Sequence, residues 1–170
     1  MKSIQNCVLT INGGSSSIKF ALYQVDETLT QIFYGEIEGI GSEKIKFSFT
    51  NTATKEKNAV PVKAINNNDA INFLIVWLQK QDGFASIKAI GRRIVHGMKH
   101  TEPEKITLEL LNELKKISLY DPEHLPGEIK LIEMFMKVYP QVVQIACFDT
   151  SFHTSMPQVA KMLSISAPLL

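Results

Sequence analysis

Near the amino terminus a β-branched and apolar run, Val8-Leu9-Thr10-Ile11, breaks at Asn12-Gly13-Gly14 and resumes after Ser15-Ser16 as a second run from Ser17 to Val25. This pattern reads as strand, tight turn, strand, and it commits the chain to begin with antiparallel pairing. In the second run Ile18, Phe20, Leu22 and Gln24 alternate with Lys19, Ala21 and Tyr23, the period of two of a half-buried strand. Residues 31–40 alternate likewise, with Ile32, Tyr34, Glu36 and Glu38 on one side. Residues 45–50 and 59–65 are two further extended segments around the polar stretch Asn51 to Asn58, and Pro61 confines the second to an edge or a strand start.

Helical signals follow. Asn68 is the expected N-cap of a helix in which Ile71, Leu74, Ile75 and Leu78 recur at helical spacing until Asp82-Gly83 stops it. Residues 87–95 read as a strand entering His96-Gly97, and Thr107 caps a helix carrying Leu108, Leu111 and Leu114. In a third helix Pro126 sits in the first turn, Ile129, Ile132, Phe135, Met136 and Tyr139 form the inner face, and Pro140 ends it. Val142 to Cys147 is a nearly continuous apolar run, which predicts a strand buried on both faces. Antiparallel strands followed by alternating helices and strands make a mixed α/β fold.

Composition narrows the function classes. With 18 Lys+Arg against 17 Asp+Glu, the 170-residue chain lacks the one-sided charge of a nucleic-acid groove, a polybasic membrane face or an acidic tail. No run approaches the roughly 18 apolar residues of a membrane span, and residues 1–6 carry no apolar signal core. Cys7 and Cys147 lie far apart inside apolar runs, so both are expected to be small buried hydrophobes in a reducing compartment, and the cytoplasm is the expected location.

Three constellations carry chemistry. Asn12 to Phe20 offers glycines that permit positive φ and close approach, exposed amides and hydroxyls for phosphate oxygens, and Lys19 as a point charge; an ordinary Gly-Gly hairpin has the same pattern. It is not a Walker loop, because the turn leads into a strand. In Gly91 to Gly97, an inward arginine needs an anionic partner, either an internal carboxylate or that of a substrate, and His96 is either a hydrogen-bonding donor in a site or a structural residue. In Cys147 to His153, Asp149 leaves the carboxyl end of a buried strand, where open α/β sheets place ligand chemistry, although Asp-Thr-Ser also suits a helix cap. His153 has no second metal ligand at a fixed offset.

Asn12-Gly-Gly-Ser-Ser-Ser-Ile-Lys-Phe20, Arg93-Ile-Val-His-Gly97 and Phe148-Asp-Thr-Ser-Phe-His-Thr-Ser-Met-Pro157, in this order and at these separations, resemble the amino-terminal half of the acetate kinase family. The resemblance runs from about Val8 to Pro157. It implies the ribonuclease H-like fold of the acetate and sugar kinases, Hsp70 and actin, in which two similar domains flank a nucleotide cleft. Residues 1–157 would form the first domain and 158–170 the start of a connection to a second. The implied reaction is reversible phosphoryl transfer from ATP to acetate with Mg²⁺ or Mn²⁺, by a full-length enzyme expected to be a homodimer, the present portion being inactive alone.

By that resemblance Asn12 matches the asparagine near the metal, Ser15 and Ser17 the serines of the phosphate turn, and Lys19 the lysine that contacts ATP. Arg93 matches the arginine that binds the substrate carboxylate, Val95 and Leu119 match two walls of the methyl pocket, and Asp149 matches the catalytic aspartate. Departures are Arg92 in place of the usual His, Met98 in place of a second Gly, and Tyr120-Asp121 in place of His-Asn. Two other readings stand beside this one: a propionate or butyrate kinase, and a non-catalytic nucleotide-binding module of the actin-like fold.

Overall fold

The computed structural model describes residues 6–62, 66–152 and 157. Its strands form one eight-stranded sheet of order β5-β4-β3-β2-β1-β6-β8-β7. The antiparallel half contains β1 (Cys7–Gly13), β2 (Ser17–Val25), β3 (Leu29–Glu38), β4 (Lys46–Asn51) and β5 (Lys57–Pro61), the last at the edge where Pro61 confines it. The remainder contains β6 (Ile87–Ile94), the two-residue β7 (Glu104–Lys105) and β8 (Val143–Phe148). β1, β6 and β8 run parallel, and β7 closes the other edge antiparallel to β8. The expected mixed sheet with antiparallel amino-terminal strands is therefore the fold observed; β7, too short to show a period, is absent from the sequence reading.

Register puts one apolar face together. Leu9 opposes Leu22 and Ile90, Ile11 opposes Phe20, Ile18 opposes Ile37, and Ile94 opposes Phe148. Helices α1 (Asn67–Leu78), α2 (Leu108–Ile117) and α3 (Leu125–Val138) cover that face, with α1 and α3 over one cluster and α2 and α3 over a second. Trp77 of α1 anchors the first cluster, with ring centroids 4.9 Å from Phe47 and 5.3 Å from Phe33. Such aromatic pairs contribute about 0.5–1.5 kcal/mol each beyond area burial. Thr107 caps α2 as expected, its hydroxyl accepting from the Leu110 amide at 3.2 Å.

Several expectations are corrected. Asn66, not Asn68, caps α1, because it alone stays in the extended region, at φ −149°, while its side chain accepts from the Asp69 amide at 3.1 Å. Three consecutive asparagines have the same capping chemistry, so backbone geometry decides among them. Ile32 packs against the core and does not share a face with Tyr34, because the ladder slips at this point: Leu22 opposes Phe33 while Tyr23 opposes Gln31. β8 is buried on one face only. Gln144, Ala146 and Phe148 point into the helical layer, whereas Cys147 is exposed on the other face, which the described helices leave open. Cys7 is buried as expected. The extended segment expected to reach residue 65, the tail 158–170 and His153 to Met156 lie wholly or partly outside the described residues.

Candidate active site

The open face of the sheet is the floor of a cleft of about 1040 Å³, with Asn12, Lys19, Arg93 and Asp149 along it. Each side chain is placed by strand parity. Asn12 and Lys19 face each other across the β1–β2 hairpin, and Arg93 projects from β6 on the face opposite its neighbours Arg92 and Ile94. Asp149 follows β8 directly and begins the four-residue helix α4 (Asp149–Phe152). Asp149 opens the helix and faces the cleft, and both of its carboxylate oxygens accept from Arg93.

The center of the arrangement is ionic. Arg93 Nε donates to both carboxylate oxygens of Asp149 at 3.0 and 2.9 Å, Nη2 lies 2.5 Å from Oδ2, and Nη1 donates to Asn12 Oδ1 at 3.2 Å. The Asp149 hydrogen bonds raise the proton affinity of the guanidinium further, so Arg93 is a fixed cation. Its side chain is 42% exposed and that of Asp149 41%, so this pair adds little to stability and remains accessible to a ligand.

Arg92 is the inward arginine, 2% exposed, and among the described residues it forms no ion pair with a carboxylate. Its Nε donates to Gln144 Oε1 at 2.8 Å, Nη2 donates to the Leu131 carbonyl at 3.4 Å, and the guanidinium sits 4.5 Å above the Phe135 ring. Burial lowers its pKa to about 9, still above neutrality, so the ring face and neutral acceptors hold a charge. The anionic partner expected of the arginine pair belongs to Arg93 alone.

The turn between β1 and β2 is closed by a 2.7 Å bond from the Gly14 amide to the Ser17 carbonyl. Neither Gly13 nor Gly14 adopts the left-handed region expected of them. Gly13 is needed for space instead, since a Cβ there would lie 2.6 Å from Leu131 Cδ1. Ser15 is exposed and Ser17 half-buried, and neither lines the cleft floor. Val95 is half-buried beyond the end of β6 and Leu119 is 85% exposed; the structure does not bring these two together with Arg93 in the cleft. Met98 stands at φ +51°, a conformation that suits glycine, the residue the resemblance leads one to expect there.

The sequence reading missed Glu128. It lies in the first turn of α3, 3% exposed, with Oε2 accepting from the Val95 amide at 3.4 Å and Oε1 without a hydrogen-bond partner. Its spacing from Ile132 and Phe135, four and seven residues, already puts it on the inner stripe, but its polarity argues for solvent.

A mixed sheet whose parallel strands end in a carboxylate and an arginine at an open cleft, beside a Gly-Ser hairpin, has the ribonuclease H-like architecture of the actin and Hsp70 type. The chain belongs to the acetokinase family, whose model matches residues 7–169. It is 33% identical over 171 residues to an acetate kinase of Rhodopseudomonas palustris, covering 98% of this chain and 43% of that protein. To the acetate kinase of Borreliella burgdorferi it is 36% identical over 166 residues, covering 93% of this chain and 40% of the relative. Among solved structures it superposes on Porphyromonas gingivalis acetate kinase with a TM-score of 0.79 at 26% identity, covering 96% of this chain and 42% of that one. A propionate kinase from Francisella tularensis gives 0.78 at 29% identity, covering 91% and 40%. The chain thus spans about two fifths of the length of the relatives it matches.

Proposed function

We propose that this chain supplies the carboxylate-binding and phosphate-binding wall of an acetate kinase, which transfers the γ-phosphoryl group of ATP to acetate reversibly. The observation that carries this reading is Arg93 held by Asp149 and Asn12 at the cleft end of β6 and β8. Attack of an anionic carboxylate on an anionic phosphoryl group is limited mainly by repulsion and alignment, and a fixed guanidinium addresses both. Arg93 has five N–H groups, of which Asp149 and Asn12 engage three, leaving one on each terminal nitrogen as an end-on pair for a substrate carboxylate. Acetate is preferred as the substrate because the curated relatives are named acetate kinases.

On this reading Lys19 and the Ser15 to Ser17 turn hold the nucleotide phosphates, and Val95 and Leu119 wall the methyl group once the rest of the cleft is present. Asp149 and Asn12 present one carboxylate and one amide oxygen, which fits Mg²⁺, an ion that keeps several waters and takes few protein ligands. Among the described residues no group of three His, Cys, Asp or Glu side chains could hold a metal by itself, so phosphate and water would complete the shell. When bound, the ion would neutralise charge on the transferring phosphoryl group. A substrate with a pKa of roughly 4 has no proton to lose at neutral pH, so Asp149 acts in positioning and not as a base. No helix among the described residues is long and apolar enough to cross a membrane; the reading places the enzyme in the cytoplasm, dimeric at full length.

The test is binding followed by turnover. Acetate should shift the Arg93 Nε–H resonance of this chain, and ATP the amides of residues 13–17 and 19. The Arg93→Ala substitution should abolish acetate binding and leave the ATP response intact. Acetate binding that survives this substitution overturns the assignment.

A further inference from the structure

We infer that Glu128 couples the binding of a small carboxylate at Arg93 to the uptake of one proton, and so acts as a positioning residue for charge at the cleft end of the sheet. The inference rests on the carboxylate reading of Arg93. Glu128 lines a narrow crevice beneath the cleft together with Gly13, Arg92 and Arg93. Its one hydrogen bond is the long one from the Val95 amide, and its other oxygen is buried without a partner.

Among the described residues no cation forms an ion pair with it. Arg93 gives three of its N–H groups to Asp149 and Asn12, Arg92 donates to Gln144 and the Leu131 carbonyl, and Arg92 Nη1, buried in the same crevice, makes no hydrogen bond to Glu128. The charged groups around it are Arg92 and Arg93 from β6, Asp149 after β8, and Asp121 from the turn before α3, itself buried with Oδ2 unpartnered. Against the two positive charges of Arg92 and Arg93, Glu128, Asp121 and Asp149 would, if all ionised, set three negative ones. An arriving carboxylate adds a fourth.

The least costly relief is a proton on the carboxyl that is most buried and least bonded. Burial already pushes Glu128 up to about 7, with Asp121 and Asp149 adding to the rise and the Val95 amide and Arg93 opposing it. A carboxylate seated on Arg93 raises it again. The step balances simply: ionised Glu128, one proton from solvent and one acetate give neutral Glu128 beside bound acetate, with no covalent bond changed beyond the new O–H. Acetate then binds more tightly at pH 6 than at pH 9, and a rise of one unit at Glu128 corresponds to a change of about tenfold in affinity.

The experiment follows the Glu128 carboxyl carbon by NMR in the Glu-labelled chain from pH 5 to 9, in sodium chloride and in sodium acetate of equal ionic strength. The expected midpoint is near 7 in chloride and about one unit higher in acetate. In Glu128→Gln, which retains the shape and an acceptor for Val95, acetate affinity should no longer vary with pH. A midpoint that acetate leaves unmoved while the Arg93 Nε–H responds overturns the coupling, as does pH dependence that persists in the glutamine variant. If Arg93 itself never responds to acetate, the carboxylate reading falls and takes the coupling with it. The wild-type titration stands whether or not the variant folds.

Discussion

Arg93 and Asp149, 56 residues apart in sequence, meet at the cleft ends of neighbouring parallel strands, with Arg93 Nε 3.0 and 2.9 Å from the two oxygens of the Asp149 carboxylate. The pair is half-exposed, so its value is positional. Replacing Arg93 with Ala should change the unfolding free energy by less than about 1 kcal/mol. Acetate affinity should fall by at least about tenfold, as loss of a charge-assisted pair of about 1.5–3 kcal/mol requires. Urea unfolding and acetate titration of the same preparation check both. A large stability loss with intact affinity would make Arg93 a structural residue.

The Gly97-Met98 corner should respond in opposite directions to two small substitutions. Met98 occupies the left-handed region at φ +51° and its side chain is exposed, so Met98→Gly should stabilise the fold by about 1 kcal/mol. Gly97 packs on Phe148, and a Cβ there would lie 2.7 Å from the ring Cγ and 2.9 Å from the His100 carbonyl oxygen. Gly97→Ala should therefore cost about 1–3 kcal/mol. Denaturant midpoints at a common slope measure both.

Stability should fall as pH rises through the weakly acidic range because of Glu128. Its carboxyl is near 4.5 when unfolded and about 7 in the fold. The folded state therefore binds the proton more tightly, and the benefit is full below 4.5, shrinks as pH rises, and is gone above about 7. Relative to Glu128→Gln, the wild type should lose about 2–3 kcal/mol between pH 4.5 and 8. Parallel urea titrations across that range give the difference directly; a constant gap between the two proteins would place the titration elsewhere.

The two cysteines should differ in access. Cys147 is exposed on the cleft floor and Cys7 is buried under α1 and α3. A thiol reagent should label one site in the folded chain and the second only after denaturation. Peptide mapping should assign the first to Cys147, and nucleotide in the cleft should slow its labelling. Burial holds both thiols above their usual range, so the rate should climb steadily with pH.

Much of this protein was legible locally. The bounds of β2, the Thr107 cap, the proline in the first turn of α3 and the position of Asp149 after a buried strand each follow from residues within a few positions of one another, because period, capping and turn chemistry are short-range properties. The three motifs were legible for the same reason, each being one strand end or one turn. What the sequence did not disclose depends on distant partners. Which of Asn66, Asn67 and Asn68 caps α1 was settled by where the chain arrives from the sheet. Cys147 looked as buried as its neighbours until the helices packed on a single face. Arg92 and Arg93 are adjacent and chemically identical, yet strand parity sends one into the helical layer toward Gln144 and the Phe135 ring and the other to Asp149 in the cleft. Glu128 has no ion pair among the described residues because Asp149 and Asn12 orient the Arg93 guanidinium, and Gln144 and a carbonyl oxygen that of Arg92, away from it. Charge and burial are sums over everything nearby in space, and strand register alone brings residues so far apart in sequence into that sum.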